Sequence, residues 1–342
     1  MLEKPELNTI RIGPGTKLRG RMTMDYIEYD NAIAVINEVA RVVTGKNICI
    51  LKTFAAILAG GHILIEDVPG VGKTTLALAF SNAMRLKENR VQFTPDVMPS
   101  DILGFSMYKK ALDRFEYHPG AIDCNLFLAD EINRTSPKTQ SALLEVMEEG
   151  AWTVDGVTRK VQDPFIVIAT QNPKGSAGTQ LLPESQLDRF MICISMGYPD
   201  LRDEIAIARG KNEGISVENM NRVIDGGALL DMKRRVSEIY VHNNVYAYIV
   251  KLVQATRDNP YIELGISPRG TIACSKMAMA WAFLQGRNYV TPDDVEAVFT
   301  DVAKHRIVLN TKARVAKVSR EDILADVIEK VPQPTSFGRG RA

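Results

Sequence analysis

Short apolar runs alternate with longer segments of helical periodicity over the first two hundred residues of this chain. In the helical segments apolar residues recur three or four positions apart, whereas the short runs show little polar alternation. Such runs are typical of parallel strands that are buried on both faces of a sheet. We therefore predict an α/β fold with five strands, at His62–Glu66, Arg90–Thr94, Asn125–Ala129, Phe165–Thr170 and Met191–Ser195.

Helical periodicity predicts the elements around these strands. Helices are expected over Ala32–Val43, Ile48–Leu58, Thr74–Met84 and Pro137–Glu149. Beyond about Leu201 the strand signals fade and helical patterns dominate, which indicates a second, helical domain.

The ends of the chain differ from its middle because Pro and Gly are frequent in both. This composition predicts an extended arm at the start and a disordered tail at the end. The expected divisions are an arm over 1–30, an α/β domain over 31–198, a helical domain over 199–331 and a tail over 332–342.

Composition and charge exclude several classes of protein. The 342 residues include 42 basic and 41 acidic side chains, a balance that argues against a polycationic nucleic-acid-binding protein. No apolar run approaches the roughly 18 residues that cross a bilayer, and the first residues lack the apolar core of a signal peptide. We therefore expect a cytoplasmic protein. The four cysteines and four histidines are scattered, which argues against a metal site built on thiols or imidazoles.

A phosphate-binding turn follows the first predicted strand. It ends in Gly-Lys-Thr before a helix, although Asp67 stands where the usual pattern has its first glycine. Backbone N–H groups and the helix N-terminus favour phosphate there, the lysine neutralises the β and γ oxygens, and the threonine hydroxyl ligates Mg²⁺. We expect Asp67 to repel the phosphates. The predicted ATP-binding residues are Pro69, Gly70, Val71, Gly72, Lys73, Thr74 and Thr75, with Thr74 also a Mg²⁺ ligand.

Adjacent acids end the third predicted strand, and an asparagine follows the fourth. The carboxyl ends of parallel strands meet at the edge where such sheets bind ligands. Because consecutive strand residues point to opposite sides, we predict Asp130 near Mg²⁺ and Glu131 as the base that activates the attacking water. Asn172 is suited to orient the same water, although a simple Asn-Pro turn explains its position equally well.

Several motifs together resemble the MoxR family of AAA+ ATPases. The resemblance extends over roughly residues 30–310 and lies in the segments Asp67–Thr74, Leu128–Glu145, Ile168–Pro173, Leu182–Phe190 and Leu264–Gly270. It implies an AAA+ P-loop NTPase core with a five-stranded parallel sheet, followed by a helical lid that closes over ATP.

The resemblance also implies a role for each site residue. Asp130 and Glu131 correspond to the Walker B pair and Asn172 to sensor 1. Arg189 corresponds to the arginine finger, which reaches the γ-phosphate on a neighbouring subunit; without the resemblance it is better explained as a surface salt-bridge residue. Arg269 corresponds to sensor 2, and Ser267-Pro268 before it independently indicates a helix start. Arg134 matches a family arginine near the subunit interface.

Two further segments resemble insertions of this family. The first, Pro99–Asp123, holds a hairpin that we expect over Phe115–Ile122. The second, Ala151–Val161, has Asp155-Gly156 between β-branched residues, which is a strong hairpin signal. In relatives such hairpins face the ring pore or one end of the ring and contact clients; alternatively, they only cap the sheet.

The resemblance implies ATP hydrolysis in a hexameric ring that remodels or matures protein complexes, with a von Willebrand factor A domain protein as partner. One alternative is a DNA-directed AAA+ motor, which the near-neutral charge disfavours. The other is a nucleotide-gated scaffold with negligible turnover, which the presence of Glu131, Asn172 and Arg189 disfavours.

Overall fold

The computed structural model of the chain describes residues 27–172, 182–212 and 216–335. Within these ranges the helices are α1 (Ile27–Val42), α2 (Asn47–Leu58), α3 (Lys73–Ala83), α4 (Pro99–Leu103), α5 (Pro137–Glu149), α6 (Glu184–Leu187), α7 (Leu201–Asn212), α8 (Gly226–Ser237), α9 (Asn243–Arg257), α10 (Pro268–Leu284), α11 (Pro292–Ala303), α12 (Thr311–Ala316) and α13 (Arg320–Lys330). The strands are β1 (Ile63–Glu66), β2 (Glu88–Gln92), β3 (Phe105–Lys109), β4 (Arg114–His118), β5 (Leu126–Asp130), β6 (Ala151–Val154), β7 (Val157–Lys160), β8 (Ile166–Gln171), β9 (Ile192–Ile194), β10 (Ile262–Leu264) and β11 (Val308–Leu309).

Much of the predicted arm and tail lies outside the described residues. The helix α1 begins at Ile27, within the segment that we expected to be arm. Glu28 and Asp30 lie in its first turn, where carboxylates interact favourably with the helix dipole.

The central sheet has five parallel strands in the order β2-β5-β8-β1-β9, which confirms the predicted core. The three inner strands are almost wholly buried. The edge strand β2 alternates between exposed and half-buried residues and lies two positions earlier than predicted. One face of β2 is therefore open to solvent, whereas β9 at the other edge of the sheet is buried throughout.

Alternate residues of the inner strands supply two separate cores. Ile63, Leu128 and Ile168 pack with α1, α2, α3 and the later helices α8–α11. Leu64 and Phe127 pack on the opposite face, in a cluster that includes Leu143 and Leu144 of α5. Because successive side chains of a strand point to opposite faces, this double burial explains why the strand segments are apolar throughout.

Helices dominate after β9, as predicted, and α10 packs against α2, α8, α9 and α11. The short antiparallel pair β10–β11 interrupts them. Its strands of three and two residues are too short to give a periodic signal in the sequence. None of the helices in the described ranges is long and apolar enough to span a membrane.

Two hairpins project from the core, and only one has the predicted position. Asp155 and Gly156 both have positive φ in the β6–β7 turn, as a two-residue turn requires. The predicted hairpin Phe115–Ile122 is wrong, because β4 pairs with β3 and the chain reverses earlier, at residues 110–113. Gly120 serves a different purpose: a Cβ there would lie 2.2 Å from the backbone nitrogen of Gly104, so it permits close approach of two backbone segments.

His62 joins three elements at the amino-terminal edge of the sheet. It precedes β1, its Nδ1 accepts from the backbone N–H of Val167 at 3.0 Å, and its Nε2 donates to the carbonyl of Met147 in α5 at 3.1 Å. An Nδ1 that accepts must be unprotonated, so the ring is neutral. Burial lowers the pKa of His62 to about 4, against the opposing effect of the Met147 bond.

We expect the free energy of unfolding to fall as the pH falls from about 6.5 towards 4, since the unfolded imidazole takes up a proton in this window and the folded one does not. The substitution His62→Asn should reduce the slope of unfolding free energy against pH by up to about 1.4 kcal/mol per pH unit. Urea unfolding at several pH values measures both slopes. An unchanged slope in the variant contradicts a neutral, buried His62.

Candidate functional site

The predicted phosphate-binding turn forms an open cradle between β1 and α3. Gly70 and Gly72 have φ of +87° and +94°, conformations that favour glycine. A Cβ at Gly70 would have no neighbour within 4 Å, so the space in front of the turn is free. Pro69 is exposed, Val71 is buried, and Thr74 and Thr75 lie half-buried in the first turn of α3.

Lys73 begins α3 and turns back into the cradle. Its Nζ donates to the Asp67 carbonyl at 2.6 Å, and the residue is buried. Burial lowers the pKa of Lys73, while the nearby carboxylates of Asp67, Asp130 and Glu131 act in the opposite direction. The parallel pairing of β5 with β8 and of β8 with β1 places the two acids at the end of β5 close to the cradle.

The Asp67 carboxylate holds the cradle through hydrogen bonds, and its expected repulsion of phosphate stays a prediction. One carboxylate oxygen accepts from the Val68 N–H at 2.8 Å, and the other accepts from the Ser195 hydroxyl and the N–H groups of Met196 and Gly197 at 2.7–2.8 Å. Burial opposes ionisation of Asp67, but these hydrogen bonds outweigh it and lower its pKa. The residue is absent from the positive-φ positions, so the carboxylate, and not backbone freedom, explains an acid here.

Lys46 holds the same segment from the other side. Its Nζ donates to the carbonyls of Gly197 at 3.0 Å and Tyr198 at 2.9 Å. The chain that follows β9 is therefore fixed both to the cradle, through Asp67, and to the start of α2, through Lys46. Neither contact has a local sequence signal, because the partners are more than 120 positions apart.

The hydroxyl of Thr170 contacts both predicted acids, Asp130 through its carboxylate and Glu131 through its backbone N–H. Thr170 Oγ1 donates to Asp130 Oδ1 at 2.7 Å and accepts from the Glu131 N–H at 2.8 Å. The other oxygen of Asp130 pairs with Arg90 at 2.7 Å. Thr170 thus fixes the Asp130 carboxylate against the backbone N–H of Glu131.

Glu131 contacts the predicted sensor, Asn172. Its Oε1 accepts from Asn172 Nδ2 at 2.8 Å, and its Oε2 accepts from Arg134 at 2.8 Å and more weakly from Gln92 at 3.3 Å. The Arg134 bond lowers the pKa of Glu131, supported by Asn172 and opposed by burial, so the carboxylate is ionised at neutral pH. Its φ of +58° is a left-handed conformation that costs a non-glycine residue about 1–3 kcal/mol.

These residues fit a nucleotide with Mg²⁺. Gly70 leaves open space where phosphate would lie, Lys73 supplies a buried positive charge, and Thr74 and Asp130 supply the oxygen donors that Mg²⁺ prefers. The Asn172 Oδ1 atom is buried and has no hydrogen-bond partner in the described chain. A buried polar atom of this kind is suited to a water or a ligand at the site.

The two predicted arginines lie at the opposite edge of the sheet. Arg189 precedes β9, and its Nε is 2.7 Å from Glu148 at the carboxyl end of α5; Arg269 pairs with the other oxygen of Glu148. The bond of Met147 to His62 places this end of α5 beside the start of β1. The cradle follows the other end of β1, which is about 13 Å from its start because four strand residues rise about 3.3 Å each. Arg269 therefore lies with Arg189, about a strand length from the cradle of its own chain, and its role as sensor 2 stays a prediction.

The contact partners of the predicted site residues were not predictable from the sequence. Arg90, Thr170 and Glu148 are separated from the predicted residues that they contact by about 40 to 120 positions. Thr170 alone carried a signal, since it is a polar residue in an apolar strand, two positions before the predicted sensor.

Comparison with known proteins agrees with this geometry. A model of the ATPase family associated with various cellular activities (AAA) matches residues 62–192, and a model of the AAA lid domain matches residues 254–327. The first range contains the cradle, the acids and Arg189; the second contains Arg269.

Relatives cover most of the chain. Chaperone MoxR1 of Mycobacterium tuberculosis is 36% identical over 87% of this chain and 81% of its own length. The chain belongs to the MoxR family of AAA+ ATPases. The uncharacterized protein YeaC of Bacillus subtilis is 44% identical over 87% of the chain and 93% of its own length. A crystal structure of a candidate ATPase from Cytophaga hutchinsonii superposes with a TM-score of 0.83 at 35% identity and covers 90% of this chain and 96% of that one.

We predict that Asp67→Asn lowers the stability of this MoxR-family protein by about 1–3 kcal/mol, because an amide cannot accept all the hydrogen bonds that the carboxylate accepts. Its affinity for ATP should fall with the loss of cradle order. Chemical denaturation and calorimetric ATP titration measure the two effects. If the variant instead bound ATP more tightly at unchanged stability, repulsion by Asp67 would be the correct explanation.

Proposed function

We propose that this protein hydrolyses ATP at the carboxyl edge of its sheet. The observation that carries the proposal is the position of Glu131, whose carboxylate accepts hydrogen bonds from Asn172 and Arg134 that lower its pKa and whose charge raises the pKa of nearby Lys73. An ionised carboxylate that is aimed by two hydrogen bonds is suited to take a proton from water.

Each residue then has a separate task. Lys73 and the N–H groups of the cradle bind the β and γ phosphates, and Asn172 orients the attacking water. Thr74 and Asp130 would hold Mg²⁺, which supplies positive charge to the phosphates when bound. Arg90 neutralises Asp130 from the outer side of the sheet at 2.7 Å and so lowers the cost of its partial burial.

The positions of the arginines support oligomerisation. Arg189 and Arg269 lie about a strand length from the cradle of their own chain, at the edge of the sheet where the strands begin. We propose that they act on the nucleotide of a neighbouring chain, in a ring that is hexameric when active. A guanidinium suits this role because it is always charged and binds two phosphate oxygens at once.

The proposed work is remodelling or maturation of protein complexes, and a relative that is named a chaperone supports it. The β3–β4 hairpin exposes Phe105, Met107, Tyr108 and Phe115, which suits contact with protein clients. A von Willebrand factor A domain protein is the proposed partner. The near-neutral charge disfavours a DNA-directed motor, and DNA-stimulated hydrolysis would favour it.

We predict that Lys73→Ala reduces ATP affinity at least tenfold, whereas Glu131→Gln retains affinity and reduces the hydrolysis rate at least a hundredfold. Calorimetry and phosphate release measure the two quantities. Glu145→Gln, on the exposed face of α5, is a matched control that should leave both unchanged. Equal hydrolysis by wild type and Glu131→Gln would favour the nucleotide-gated scaffold.

Action between chains has its own test. Arg189→Ala should lose hydrolysis, and mixing it with Glu131→Gln chains should restore part of it, because those chains offer their own Arg189 to an intact neighbouring site. The control is mixing with the double variant Arg189→Ala/Glu131→Gln, which has no such arginine to offer. Equal rates in both mixtures at every ratio would exclude action in trans.

A further inference from the structure

One carboxylate pairs with both arginines. The Glu148 oxygens lie against Arg189, at 2.7 Å, and Arg269, and this is the only acidic partner that either arginine has among the described residues. All three side chains are partly open to solvent, with 29–45% of each exposed. A neighbouring molecule can therefore reach the cluster, unlike a fully buried ion pair.

A buried network fixes the spacing of the two arginines. Asp188, next to Arg189, accepts from Arg306 Nε and from the Ser267 hydroxyl, both at 2.8 Å. Ser267 also caps α10, two residues before Arg269. Only 2% of the Arg306 side chain is exposed, and its Nη1 and Nη2 groups donate to the backbone carbonyls of Asp188, Phe190, Met191 and Val302. The backbone positions of Arg189 and Arg269 are thus set without any help from Glu148.

The chemistry of the cluster is that of an occupied anion site. The guanidinium groups of Arg189 and Arg269 converge on one carboxylate, and Arg269 lies in the first turn of a 17-residue helix, whose dipole also favours negative charge. A carboxylate satisfies such a site with two oxygens, and a phosphate satisfies it with more oxygens and more charge. A phosphate that binds there competes with Glu148 for the two guanidinium groups.

We propose that Glu148 is an internal substitute for the phosphate of a neighbouring chain, and that its competition sets how readily ATP joins two chains. This inference rests on the proposed role of the arginines in trans. It assigns Glu148 neither to nucleotide binding in its own chain nor to the proton transfer. It predicts that neutralising Glu148 strengthens the anion site, whereas a purely structural role predicts that the same change weakens it.

The first experiment measures the anion site alone. In Lys73→Ala protein, which has lost the main cation of its own cradle, we expect Glu148→Gln to raise the affinity for inorganic tripolyphosphate about three- to tenfold by calorimetry. Glu148→Asp keeps the negative charge and should show no gain. Glu149→Gln is the matched control: it makes the same charge change on the next residue, which makes no salt bridge within the described part of the chain. Adding Arg189→Ala should abolish the gain.

An unchanged or lower affinity in the Glu148→Gln protein overturns the proposal. So does an equal gain in Glu149→Gln, since that result would show a general charge effect. The Glu148→Asp protein separates loss of charge from damage to the fold. If a change at position 148 damaged the fold, this protein would also have an altered affinity for tripolyphosphate.

The second experiment concerns assembly. With Glu131→Gln present to slow hydrolysis, Glu148→Gln should lower the protein concentration for half-maximal ATP-dependent association about three- to tenfold in sedimentation velocity. An unchanged or higher concentration contradicts the inference. If the Glu131→Gln protein fails to associate at all, the ring itself is disproved, and the tripolyphosphate measurement still decides whether Glu148 occupies an anion site.

Discussion

The common direction of the five central strands is the constraint on which the rest of the structure depends. Loops that follow the strands carry the cradle and the acids, whereas the start of β9 and the returning end of α5 carry Arg189 and Glu148. The two groups lie a strand length apart on opposite edges of the sheet. One chain consequently presents a nucleotide-binding edge and an arginine edge, and the proposed ring is the arrangement that brings the two edges together.

Hydrogen bonds between distant segments fix the positions of the site residues at each edge of the sheet. At the carboxyl edge, Asp67 ties the cradle to the end of β9, and Thr170 fixes the backbone between Asp130 and Glu131. At the amino edge, Arg306 and Asp188 join the later helices to the loop before β9. A buried donor or acceptor without a partner costs about 1–3 kcal/mol, so each network favours a single arrangement of the groups that would contact phosphate.

Features that rest on short stretches of sequence were predictable, whereas contacts between distant segments were not. The cradle, the five-stranded sheet and the Asp155-Gly156 turn were predictable because each rests on a few consecutive residues with fixed conformational preferences. The β3–β4 hairpin was misplaced because Pro119-Gly120 has the composition of a turn but serves a close backbone contact. The hydrogen bonds of Asp67 were not predictable from the sequence, since its partners lie near residue 196.

The sequence by itself determined the family, the core strands and the residue types at the site, because apolar runs, glycine positions and helix caps act over short stretches of chain. Only the tertiary structure decided which charges meet. Arg90 with Asp130, Arg306 with Asp188 and Arg269 with Glu148 are pairs 40 to 121 positions apart. Such pairing depends on strand order and on the direction in which helices return, and neither is encoded in the spacing of residues along the chain.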